Sequence, residues 1–199
     1  MNARQNIIRM RSQCDGLLQL AARLRKRAGR GGLVAVEVGS YAGESMEIFA
    51  RSGTVGTIAC VDPWMVGYDP RDIASRSSMA IAERNFDARA GTMRDSFGVK
   101  VFKHRGTIDT FIASPEFRFV AGRVDFAYID GCHEYGSVRH DIEVVRKVVK
   151  PRLAICGHDY GGGWHGVVRA VDEAFGKPDF TFPDGSWAVF AEMGYGDAQ

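Results

Sequence analysis

At 199 residues, with 45% apolar and 25% charged side chains, the chain is long enough to bury one full hydrophobic core and too short for two. No run approaches the roughly 20 apolar residues that a membrane-spanning helix needs, and the stretch 17–22, broken by Gln19, lacks a leader cleavage site, so the expected compartment is the cytoplasm. The net charge of +2 hides an uneven spread, because residues 1–30 carry a net +7 and the remainder a net −5.

The basic end reads as one amphipathic element. Ile7, Met10, Cys14, Leu17, Leu18, Ala21 and Leu24 recur at helical spacing, so residues 1–32 are expected to form a helix with a basic outer face, closed by Gly29, Gly31 and Gly32. A solvated face is favoured over an acidic or nucleic-acid partner for those charges. From residue 33 onward, strand-like and helix-like runs alternate. Strands are expected at 33–38, 57–61, 100–103, 124–129 and 153–156, and helices at 43–51, 75–90, 107–114, 136–149 and 167–175. Segments 180–182 and 187–191 read as a closing hairpin around Asp184-Gly185, and 194–199 as a frayed tail. The fold class is therefore α/β: a Rossmann-like, seven-stranded, mostly parallel sheet with helices on both faces and a C-terminal antiparallel hairpin.

Such sheets bind ligands outside the carboxyl ends of their strands. Here those ends carry Glu37 and Gly39, Asp62, residues 104–107, residues 130–133, and His158-Asp159. The run Glu37-Val38-Gly39-Ser40-Tyr41-Ala42-Gly43-Glu44-Ser45 joins a buried strand to a helix start. Gly39 and Gly43 permit a tight turn, and the free N–H groups beyond it suit a nucleotide-like ligand. Asp62, 23 residues past Gly39, is placed to accept hydrogen bonds from ribose hydroxyls. Residues 63–71, with two prolines and Gly67, have the composition of a mobile loop over the same edge.

Cys14, Cys60, Cys132 and Cys156 show no metal or redox spacing and read as small core hydrophobes. A thiol nucleophile at Cys132 beside His133 is disfavoured, since residues adjacent in a chain seldom point toward one another. His104 and His140 read as structural or solvent-facing, His165 as a loop residue, and Phe182, Trp187 and Phe190 as core.

Five ordered motifs together resemble the class I S-adenosylmethionine-dependent methyltransferases, near the sugar and macrolide O-methyltransferases and the catechol-type enzymes. They are the glycine run just quoted, Val61-Asp62-Pro63-Trp64, Tyr128-Ile129-Asp130-Gly131-Cys132-His133-Glu134-Tyr135, Gly157-His158-Asp159-Tyr160 and Gly166-Val167-Val168-Arg169-Ala170-Val171-Asp172. The resemblance covers roughly residues 33 to 191 and implies a methyltransferase domain over 33–193. It implies that Glu37, Gly39, Ser40, Tyr41, Gly43 and Ser45 surround the methionine part of S-adenosylmethionine, that Asp62 holds the ribose, and that Gly106 and Thr107 lie near an adenine covered by Trp64. Asp130 belongs to the same cofactor set, where its charge suits a sulfonium ligand.

Methyl transfer to oxygen needs a group to take the hydroxyl proton, and His133 is the first choice as general base, with His158 second and Asp159 beside them. In metal-dependent relatives the positions of Asp130 and Asp159 hold a divalent cation together with a further acidic or amide residue, where this chain has His158. Three readings follow in order: Mg²⁺ on Asp130 and Asp159, a softer metal recruited by His133 or His158, or no metal. The expected partner is a small-molecule methyl acceptor, with no membrane or nucleic acid, and the short chain favours a homodimer that completes each site. Competing functions are an NAD-type oxidoreductase, whose glycine pattern Ser40-Tyr41 interrupts, a metallohydrolase built on the acids and histidines, and a non-catalytic binding module.

Overall fold

A computed structural model of the chain describes residues 11–76 and 78–191. Ile7, Met10 and the basic residues before Arg11 therefore lie outside the described residues, as does the tail assigned to 194–199. Seven strands form one sheet: β1 (Leu33–Val38), β2 (Val55–Asp62), β3 (Lys100–Arg105), β4 (Phe126–Ile129), β5 (Ala154–Gly157), β6 (Phe180–Thr181) and β7 (Trp187–Phe190). Their order is β3-β2-β1-β4-β5-β7-β6, with β1 to β5 parallel and β7 antiparallel to both of its neighbours. Both the seven-stranded α/β architecture and the closing hairpin are as the sequence pattern predicts.

The central strands are apolar at successive positions because both faces of the sheet are covered. Ala35, Ile58, Cys60, Phe126 and Tyr128 point to one face, under α1 (Arg11–Ala28), α2 (Glu44–Arg51) and α3 (Met79–Phe97). Val36, Val38, Ala59, Val61, Ala127 and Ile129 point to the other, under α4 (Ile108–Ile112), α5 (Tyr135–Val144) and α6 (His165–Phe175). On the first face Phe49 meets Phe126 and Tyr128 edge-on, each at 5.3 Å between ring centroids.

The basic helix is part of this core. Leu17, Leu20, Ala21 and Leu24 of α1 are fully buried. Several of its cations are used within the molecule: Arg25 donates to the Ser52 carbonyl at 2.7 Å, and Arg23 lies 4.0 Å over the Phe180 ring. At its other end, α3 begins after Ser78 and continues to Phe97, seven residues past the expected end, until Gly98 in the left-handed region closes it. Among the described residues no helix is long and apolar enough to cross a membrane.

What matters for the site is where the topology reverses. From β1 the chain moves outward through β2 to β3, then returns to place β4 on the other side of β1, leaving a crevice at the carboxyl ends of β1 and β4. The loops at that edge are laced together. Asp130 N–H donates to the Val38 carbonyl at 2.8 Å, Gly39 N–H to Val61 at 2.8 Å, Gly106 N–H to Asp62 at 3.0 Å and His158 N–H to Ile129 at 3.1 Å.

Candidate active site

A cavity of about 340 Å³ opens in this crevice. One wall is the turn after β1. Gly39 has φ 87°, and a side chain there would collide with the carbonyl oxygen of Asp130, so glycine is required twice over. Tyr41 also takes a positive φ of 42°, and Gly43, at φ 82°, closes the turn by donating to the Ser40 carbonyl at 2.7 Å. Beneath the turn, Glu37 is fully buried and accepts the Ser40 and Ser45 hydroxyls at 2.7 and 2.6 Å. Burial raises its pKa, and the two serine hydrogen bonds work against that rise. Asp62 ties the turn to the next loop, since Oδ2 accepts Tyr41 N–H at 2.8 Å and Oδ1 accepts Trp64 N–H at 2.6 Å. Each carboxylate oxygen keeps acceptor capacity for a ligand hydroxyl.

Of the predicted cofactor residues, Gly39, Ser40, Tyr41, Ser45, Asp62, Gly106 and Asp130 line the cavity. Glu37, Gly43, Trp64 and Thr107 do not. Glu37 and Gly43 lie under the turn they shape, and the Thr107 hydroxyl accepts Thr110 N–H at the start of α4. Trp64 faces the core and not the cavity. Its backbone takes φ 42°, its ring packs on Phe86 in the core at 5.2 Å, and its indole N–H donates to the Tyr41 carbonyl at 2.8 Å. It braces the turn from behind.

Across the cavity a cluster of acids and histidines gathers from three segments, the loops after β2, β4 and β5. His133 is gripped at both ring nitrogens, with Nε2 2.8 Å from Asp159 Oδ2 and Nδ1 2.7 Å from Asp69 Oδ2, the latter oxygen also accepting the His133 backbone N–H at 2.8 Å. Trp164 stacks on the imidazole at 4.0 Å. His158 Nδ1 stands 3.1 Å from Asp159 Oδ2 and 3.9 Å from Asp130 Oδ1. Burial alone would depress the basicity of His133, but the hydrogen bond and charge of Asp159, with Asp130 and Asp69 behind it, hold the imidazole up at about 9. Against its own desolvation, Asp159 is kept well below the usual carboxylate range by His133 and His158. Asp159 occupies the left-handed region at φ 62°, and the hairpin loop buttresses it, with Tyr160 N–H donating to the Gly185 carbonyl at 2.9 Å.

One ligand atom each from Asp130, His133 and Asp159 lies within 4.8 Å of the other two, so these residues fit a divalent cation. Two carboxylates and an imidazole admit Mn²⁺, Fe²⁺ or Zn²⁺ as readily as Mg²⁺, and the Nδ1 contact to Asp69 is the outer support that metal-bound histidines require. The imidazole in this group is that of His133, with His158 set behind Asp159. Cys132 lines the cavity with its thiol pKa raised by burial, which does not suit a nucleophile.

Asp69, Trp164 and Asp141 also line the cavity and were not singled out from the sequence. Asp69 sits in the expected loop, yet it is only 4% exposed and is fixed by accepting Arg71 N–H at 2.9 Å. An aspartate two residues before a backbone donor is an Asx-turn signal that could have marked it. Asp141 immediately precedes Ile142 on the buried stripe of α5, and a carboxylate at that border was the available sign.

A sheet reversed at β1/β4, a glycine turn at the crevice and an acid closing β2 define a Rossmann-like enzyme for a nucleoside-bearing cofactor. A family model described as "Methyltransferase domain" matches residues 36–160, more than half of the chain, and the chain belongs to that family. It is an S-adenosylmethionine-dependent methyltransferase, and the oxidoreductase reading of the glycine turn falls away. No curated protein matches the sequence. Among solved structures, the TDP-rhamnose 3′-O-methyltransferase CalS11 of calicheamicin biosynthesis is 17% identical with a TM-score of 0.57, over 94% of this chain and 82% of that one. An O-methyltransferase from Bacillus cereus in complex with SAH is 16% identical with a TM-score of 0.54, over 93% of both chains. The O-methyltransferase TomG from Streptomyces achromogenes, in complex with SAM, is 12% identical with a TM-score of 0.50, over 88% and 90%. At these identities the likeness is one of fold.

Proposed function

We propose that the protein methylates a hydroxyl oxygen of a small molecule, with Asp62 receiving the ribose of S-adenosylmethionine and the Gly39 turn its methionine part. One observation carries this reading: a single cavity is walled on one side by the glycine turn and on the other by the Asp130, His133 and Asp159 cluster. A hydroxyl seated between them faces both a donor site and a group that handles its proton. O-methyltransferases among the solved structures of the same fold support the choice of oxygen.

The chemistry forms an oxygen–carbon bond as a carbon–sulfur bond breaks, and the hydroxyl proton leaves. Little covalent work falls to the protein, so alignment within the ~7–11 kcal/mol available from proximity is its main contribution. We assign the proton to His133 in its neutral form, which gains population as pH rises toward 9: Asp69 holds Nδ1, Nε2 is the nitrogen that takes the proton and shares it with Asp159, and His158 steadies Asp159. With a divalent cation held by Asp130, His133 and Asp159, His133 would be a ligand and not the base, and the cation would supply Lewis acidity toward the acceptor oxygen in place of that base.

The test is transfer from methyl-labelled S-adenosylmethionine to a panel of hydroxylated sugars, phenols and polyketide alcohols, read by mass spectrometry. Label on oxygen, lost in Asp62→Ala, is expected. Label confined to nitrogen or carbon acceptors would refute the assignment of oxygen.

A further inference from the structure

Asp141 puts a carboxylate into the cavity wall that the fold does not use. It lies on α5, between the buried Val138 and Ile142, and borders the cavity beside Gly131, where a built side chain would come 3.7 Å from Oδ2. Its aspartate neighbour Asp109 repels it, and the adjacent His140 is paired with Asp109 at 2.9 Å. Among the described residues no protein hydrogen bond to the Asp141 carboxylate is present, in contrast to Glu37, Asp62 and Asp69, each of which accepts at least two. Asp141 is partly exposed to the cavity, and an acceptor in a cavity wall with no protein donor is open to a donor that a ligand brings.

Position identifies that donor. Asp62 closes β2 and fixes where a ribose sits, while the Gly39 turn and the Asp130 cluster occupy the β1, β4 and β5 side. The nucleobase is left the remaining end, bounded by Gly106 and Ile108 after β3 and by Gly131 and Asp141 from the β4–α5 segment. Gly106 and Ile108 offer no polar side chain there, and the hydroxyl of the intervening Thr107 caps α4. Asp141 is the acceptor at this end, and an adenine presents a donor in its exocyclic amine.

We propose that Asp141 accepts a hydrogen bond from the adenine 6-amino group of the cofactor and is the residue that separates adenine from 6-oxopurine nucleosides. The inference rests on the S-adenosylmethionine reading of the cavity and adds a base-recognition role that no resemblance assigned to this helix. A site built around a hydrogen bond rejects a ligand that cannot make it, because the ionised acceptor in the cavity wall then faces another acceptor.

Calorimetry with S-adenosylhomocysteine and S-inosylhomocysteine tests the assignment. At pH 9, where the Asp141 carboxyl is ionised and cannot donate, the wild type should prefer the adenine compound by roughly 30-fold or more. Asp141→Asn presents an amide that can donate to the 6-oxo group, and should bring the two affinities within about threefold of each other. Asp141→Ala should weaken the adenine compound and leave the inosine compound nearly unchanged. A wild type that binds both equally, or an Asp141→Asn variant that keeps the full preference, overturns the role of Asp141 while leaving the cofactor assignment standing. A wild type that binds neither overturns the cofactor assignment itself, and this inference with it.

Discussion

Asp141→Asn should make the ligand-free enzyme more stable, and increasingly so as pH rises. In the folded protein burial pushes the Asp141 carboxyl from 3.8 up to about 7, with Asp109 adding to the rise and His140 opposing it; the loop residue Tyr68 faces the same group. Below 3.8 the carboxyl is neutral in folded and unfolded chains alike and costs nothing. Between 3.8 and 7 the unfolded chain releases its proton first, so folding loses free energy, and above 7 the loss is complete. At ~1.4 kcal/mol for each tenfold change in proton affinity, the ceiling is about 4 kcal/mol. The carboxylate meets water through the cavity it lines, which screens it and brings the expected value to ~1–2 kcal/mol. Asparagine carries no such penalty. Thermal unfolding at pH 8 should therefore place the variant ~2–8 °C above wild type, with a smaller gap at pH 5 and none below 3.8. Comparing the two proteins at each pH cancels the other titrating acids. Saturating S-adenosylhomocysteine should shrink the gap, because its amine would stabilise the wild-type carboxylate. An advantage independent of pH between 5 and 8 would show that desolvation of this carboxyl is not its cause.

Three further perturbations probe the rest of the site. Gly39→Ala meets both a positive φ and the Asp130 carbonyl, so S-adenosylhomocysteine affinity should fall by about 100-fold in calorimetry while circular dichroism shows a folded chain; unchanged affinity would mean that the turn is not the cradle. His133→Ala should lower kcat by ~10²–10⁴ and leave cofactor affinity within about threefold, and near-normal turnover at neutral pH would end its assignment to the proton. Titration with Mn²⁺ should give one site in the wild type and none in Asp159→Ala, with turnover lost in EDTA. A wild type that binds no Mn²⁺, Mg²⁺ or Zn²⁺ would remove the cation from the mechanism.

Strand positions were legible because burial on both faces leaves long apolar runs, and the ends of those runs announce the functional edge. Asp62 and Asp130 are examples, each the polar residue that stops a strand or follows it. The paired grip on His133 was not legible, since Asp69 lies 64 residues away and reaches it through a turn whose geometry no periodicity encodes. Trp64 shows the converse difficulty. Its place in the motif suggests a cover for the base, but a left-handed backbone at that residue sends the ring into the helical layer instead. For the basic helix the apolar stripe was legible, but not that α2 and the sheet would bury it, because periodicity marks a face and not its partner.

Asp69 belongs to a loop that lines the cavity and is flanked by Met65, Val66 and Ile73, all largely in solvent. The same residue sets the orientation of His133. Redesign of this loop for a new acceptor therefore has one fixed point. Grafts that vary its apolar rim but retain Asp69 and its Asx turn should exchange substrates, whereas grafts that move Asp69 should yield enzymes that still capture the new compound and fail to turn it over.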